Sequence, residues 1–162
     1  MAIREILLLG NPLLYERSEE CTHDDDLERI ARDLQDTLLE FKREHGFGRA
    51  IAAPQISERK RMIFMLVDEP VVFINPVLKP VGEPDMIVWD DCMSFPCLLV
   101  KVRRYSVCTL EYHDLKWQKH NEVFRDGLSE LIQHEYDHLD GILAVQRAMD
   151  RRSFRWKAKG KF

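Results

Sequence analysis

His134, Glu135 and His138 stand in the order H-E-x-x-H. On a helix, residues four apart share a face, so both imidazoles can bind one metal ion while Glu135, one step round, reaches a water in the open position. That is the geometry of a metallohydrolase. Such a centre takes three protein ligands plus water, so a further donor is required. No His or Glu follows His138, and the acidic residues left there are Asp140 and Asp150. The donor is therefore expected upstream. The best-placed residue is Cys92, in the segment Trp89-Asp90-Asp91-Cys92-Met93-Ser94-Phe95-Pro96; the bland alternative for it is an inert buried thiol.

The rest of the chain must position these groups. With 162 residues, 45% of them hydrophobic and 32% charged, it is long enough for a sizeable core and too apolar to be disordered. Its longest apolar runs, Ile6 to Leu9 and Ile63 to Val67, fall far short of the roughly 20 residues of a membrane span, and the N-terminus does not read as a secretory signal. A cytoplasmic protein is expected, with no membrane partner and with Cys21, Cys92, Cys97 and Cys108 as thiols or metal ligands. Cys97 reads as a small buried hydrophobe. His23, His45, His113 and His120 match no motif and read as surface or ordinary structural residues.

Asp24, Asp25 and Asp26 offer N-caps to a helix on which Leu27, Ile30, Ala31, Leu34, Leu38 and Phe41 recur at helical intervals until Gly46. From Arg61 to Tyr112, short runs rich in Val, Ile, Phe and Tyr, broken by prolines, read as mostly antiparallel strands. Leu128, Leu131, Ile132 and Leu139 restore helical spacing around His134, with a stop at Gly141, and a last helix is expected from about Asp150 to Lys157. The expected fold is α+β, in one domain over residues 1–162: antiparallel β-sheets around a central H-E-x-x-H helix, flanked by an N-terminal and a C-terminal helix.

Net charge is −4, too mild for a nucleic-acid partner over the whole surface, and no DNA binding is expected. From Arg147 to Phe162 seven basic residues face Asp150 alone, so this tail carries +6 on a body of −10. A solvated helix face and a dock for a polyanion both fit that pattern.

Three motifs, in this order and at these separations, make the chain resemble the peptide deformylases: Gly48-Arg49-Ala50-Ile51-Ala52-Ala53-Pro54-Gln55, Asp90-Asp91-Cys92-Met93-Ser94, and His134-Glu135-Tyr136-Asp137-His138. The resemblance implies that Cys92, His134 and His138 hold a divalent ion, natively Fe2+ and replaceable by Zn2+, Ni2+ or Co2+. It makes Glu135 the proton shuttle and gives the Gln55 amide and the Met93 backbone N–H to the oxyanion. The implied substrate is an N-formylated nascent peptide, cleaved to formate and a free N-terminus. Asp90 and Arg104 match positions that pair and steady the loop of Cys92. The basic tail matches a C-terminal helix that docks on the ribosome. Other classes left open are an endopeptidase and a non-catalytic, metal-containing relative that binds peptide N-termini.

The motifs also depart from the family pattern. Ala50 and Asp91 replace glycines, which alters loop contacts with the substrate main chain beside Gly48. Gly127 and Glu130, on the helical stripe leading to His134, replace apolar or long side chains of a methionine pocket. A carboxylate there resists desolvation unless paired and shifts preference toward a polar or cationic side chain.

Overall fold

The computed structural model describes residues 2–157. In chain order the main elements are α1 (Leu27–His45), β1 (Ala50–Ala52), β2 (Met62–Leu66), β3 (Pro70–Pro80), β4 (Met86–Asp90), β5 (Leu98–Arg104), β6 (Val107–His113), β7 (Lys119–Arg125), α2 (Asp126–Leu139) and β8 (Phe154–Trp156). Strands β1-β2-β3-β6-β7 form one antiparallel sheet and β4-β5-β8 a second. The α+β class and the antiparallel sheets agree with the expectation from sequence.

The expected caps close α1. Asp26 accepts a hydrogen bond from the Arg29 N–H, and Gly46 takes the left-handed conformation that ends the helix. Its apolar stripe packs on one face of the five-stranded sheet, where Ile51, Met62, Phe64 and Ile74 point. The alternate residues Ala50, Ala52, Ile63, Met65 and Phe73 face the other way and enclose Leu131, Ile132 and Leu139 of α2. Burial on both faces explains why β1 and β2 read as continuous apolar runs rather than alternating ones. β1 was hidden for that reason within a glycine- and alanine-rich motif. β7, largely exposed, carries no apolar alternation and was not foreseen either.

After α2 the chain reverses at Gly141, whose φ is +72° and where a Cβ would lie 2.5 Å from the Tyr15 carbonyl oxygen. Only glycine fits this abutment of the helix end against the N-terminal segment, which also bonds through Ser18 N–H to Leu139 O at 2.9 Å.

The C-terminal segment departs from the sequence reading: the helix expected over Asp150 to Lys157 is a turn followed by β8. Asp150 accepts from the Arg152 N–H and the Ser153 hydroxyl, a local closure that competes with helical bonding. Phe154, Arg155 and Trp156 then pair with Val100, Leu99 and Leu98 on the open edge of β5. Lys159 and Lys161 of the basic tail lie outside the described residues. Cys97 is exposed in the β4–β5 connection rather than buried. Among the described residues, no helix is long and apolar enough to cross a membrane.

Candidate metal centre and its cavity

The buried face of α2 carries His134 and His138, their Nε2 atoms 3.2 Å apart. Cys92, two residues beyond β4, brings its Sγ to 3.3 Å from His138 Nε2. The three donor atoms all lie within 4.8 Å of one another, and all three residues are buried. The sulfur is fixed by its loop: the Phe95 N–H donates to Cys92 O, and the Ser94 N–H points at Sγ from 3.5 Å. Gln55, in the short turn after β1, accepts the Ala52 N–H at Oε1. Its Nε2 is thereby left to donate to Ser94 Oγ at 3.1 Å and to face Cys92 Sγ at 3.6 Å.

Behind the donors lies a chain of charged groups, buried from Asp90 to Asp137 and exposed at Arg147. His134 Nδ1 meets Asp90 Oδ2 at 2.8 Å, which, with the proton assigned to Nδ1, leaves the Nε2 lone pair facing His138 and Cys92. Arg104 bridges Asp90 (3.0 Å) and Asp137 (2.6 Å), and Arg147 closes on Asp137 with two bonds of 2.6 and 2.7 Å. Burial opposes the charge of Asp90, yet His134 and Arg104 hold its carboxyl below the usual range. Burial likewise opposes the charge on His134, and the Asp90 and Cys92 charges hold it well above the usual imidazole value. At His138 burial, reinforced by the neighbouring His134, pushes the ring well below that value.

Glu135 is the group left over. Its Oε2 is buried without a hydrogen-bond partner among the described residues, and burial pushes its carboxyl up to about 7. A buried carboxyl near neutrality, beside two imidazoles and a thiol whose donor atoms converge, is the donor set and the base of a hydrolytic metal site. The residues present therefore fit a divalent ion.

These groups open on a cavity of about 310 Å³ that Gly48, Ala50, Gln55, Met93, Glu130 and Glu135 all help to line. Gly48 has φ +121° and sits where a Cβ would press on Leu38 and Phe41. Ala50 lies in β1, in extended conformation, where its methyl group packs into the core beneath α2 without strain. Gly127 is exposed on the first turn of α2, outside the residues that line the cavity, and a Cβ on it would lie 3.9 Å from the Arg49 guanidinium, an ordinary contact. Arg49 Nη2 bonds Glu130 Oε1 at 2.8 Å, bridging the entry to β1 and the first turns of α2. Burial raises the Glu130 carboxyl and Arg49 opposes that only in part. Asp91 pairs with Lys157 at 2.9 Å, and the Lys157 ammonium also lies over the Phe47 ring.

Sequence reasoning missed Arg49, Asp137, Arg147 and Lys157. The signal for Arg49 was a cation inside a glycine-alanine motif, and for Asp137 its place one step before His138. Arg147 and Lys157 had been assigned to a basic tail, and only the long-range fold reveals their partners.

A helix-borne pair of imidazoles, a thiol just beyond a strand end and a buried carboxyl on an α+β frame define a metallohydrolase architecture. The chain belongs to the polypeptide deformylase family, whose model matches residues 3–154. The peptide deformylase of Leptospira biflexa is 28% identical, over 95% of this chain and 92% of that protein. The crystal structure of the Thermotoga maritima peptide deformylase superposes with a TM-score of 0.85 at 25% identity, over 93% of this chain and 100% of that one. The class I type b peptide deformylase of Acinetobacter baumannii, solved with Met-Ala-Ser bound, gives 0.81 at 25%, covering 90% of this chain and 98% of that one.

Proposed function

We propose that this protein is a metal-dependent peptide deformylase that hydrolyses the N-formyl group of nascent peptides to formate and a free amine. The observation that carries the reading is the convergence of Cys92 Sγ, His134 Nε2 and His138 Nε2 beside the unpartnered Glu135 oxygen. When bound there, a divalent ion, Fe2+ in the cell by this reading, supplies Lewis acidity and a water of lowered pKa. Glu135 would accept the proton of the attacking water as the new C–O bond forms and would then pass it to the amine nitrogen, on which the formamide C–N bond breaks. The Gln55 amide, its Oε1 held by the Ala52 N–H, turns its N–H end toward the Cys92 sulfur, and in this reading it and the Met93 N–H stabilise the developing oxyanion. Asp90 fixes the His134 ring, and Arg104 fixes Asp90.

By the same reading residues 1–162 act as one domain in the cytoplasm, where formylated chains emerge. Contact with the ribosome would fall to Arg151 and Arg152, which are exposed, since Arg147 and Lys157 are taken up by Asp137 and Asp91. The test of the activity is formate release by anaerobically metal-loaded protein. Glu135→Ala is expected to keep its ion and lose turnover by about 100-fold or more. Undiminished formate release by that variant would remove Glu135 from the chemistry.

A further inference from the structure

Resting on the deformylase reading, we propose that the Arg49–Glu130 pair sets which first residue this enzyme accepts. It selects a side chain bearing a nitrogen donor, an amide or an ammonium, over the thioether of methionine.

The formyl carbon must lie at the converging donors of Cys92, His134 and His138, and the first side chain branches from the atom next to the formamide nitrogen. That side chain has to enter the adjoining cavity. Glu130 stands about one turn before His134 on the same face of α2, roughly 5–6 Å along it, within reach of a side chain of ordinary length. Glu130 and Arg49 both line this space.

The two partners differ in freedom. The Glu130 side chain is 14% exposed and anchored on the helix, whereas Arg49 is 46% exposed and extends from the chain entering β1. Its guanidinium lies 3.9 Å from where a Cβ on Gly127 would stand. An entering apolar chain would stop short against the guanidinium or push it into water, and the second course leaves a half-buried carboxylate without its donor. An acidic chain would meet that carboxylate directly. An amide or ammonium instead joins Arg49 at Glu130, or replaces it there, with the carboxylate paired throughout. A site built around a half-buried acceptor in this way discriminates against ligands that lack the donor.

The test uses the full-length, anaerobically metal-loaded protein and formyl-Xaa-Ala-Ser peptides with Xaa as norleucine, methionine, glutamine, lysine or glutamate. Formate release is measured, and calorimetry follows binding of the deformylated products. The expected kcat/KM for glutamine and lysine exceeds that for norleucine by about tenfold or more, with glutamate lowest and product binding in the same order. Glu130→Leu should invert the lysine-to-norleucine order at equal metal content. Should that variant fail to fold, the near-isosteric Glu130→Gln should cut the lysine advantage by about tenfold. A wild-type preference for norleucine, or a ratio indifferent to Glu130, overturns the selectivity and leaves deformylation standing. Metal-loaded protein that releases formate from no peptide overturns the deformylase reading, and the selectivity falls with it.

Discussion

The cavity has two walls built from the same chemistry in opposite surroundings. On the metal side, Asp90, Arg104 and Asp137 are each almost fully buried, and every bond between them holds a metal-binding ring or a neighbouring strand in place. On the substrate side, Arg49–Glu130 and Asp91–Lys157 join elements distant in sequence, and each has a partner exposed to water, Arg49 by 46% and Asp91 by 38%. Buried ion pairs have little freedom to rearrange, because breaking one leaves an uncompensated charge in a dry place. Pairs at a rim are screened and contribute little to stability, so they are free to exchange partners with a ligand. The metal wall positions; the rim discriminates.

The sharpest way to break this contrast is Arg104→Ala. It leaves Asp90 with His134 alone and Asp137 with Arg147 alone, and a urea titration of the metal-free protein is expected to show a loss of about 3–5 kcal/mol. A loss below about 1 kcal/mol would put the buried wall in the same class as the rim. Next in size is Asp90→Asn, which removes the carboxylate that orients His134. Metal affinity in a chelator competition should fall about 10–100-fold while the fold persists.

Asp90 and Glu130 should also titrate with opposite signs. Asp90 is held below its ordinary value, so its stabilisation is complete above about pH 3.9 and is lost as pH falls through the lower native value. Glu130 is held above its ordinary value, so its contribution is complete below about pH 4.3 and is lost as pH rises through the higher native value. Urea midpoints of metal-free Asp90→Asn and Glu130→Gln against pH should therefore flatten opposite limbs of the wild-type curve. Smallest of all, Lys157→Ala should cost less than about 1 kcal/mol, a cost that added salt reduces further. A larger loss in the same urea titration would make the β8 end part of the rigid wall.

How much of this was legible in the sequence follows from the range of each interaction. His134, Glu135 and His138 are set by helix geometry over one turn, so their spacing alone places them, and the capping of α1 by Asp26 and Gly46 is equally local. Cys92 could be reached because the chain after His138 offers no His or Glu. Glu130 was visible as a carboxylate in the wrong place, but its partner is 81 residues away and only the sheet register delivers Arg49 to it. The end of the chain was misread for a similar reason. The choice between helix and strand there depends on the free edge of β5, which no local pattern announces.

The central claim is that one thiolate and two imidazoles hold a single ion, and X-ray absorption fine structure of the zinc-loaded protein tests it most directly. The expected first shell has one sulfur at about 2.3 Å and two imidazole nitrogens at about 2.0–2.1 Å, with the sulfur absent in Cys92→Ala. A wild-type shell of nitrogen and oxygen alone would contradict it.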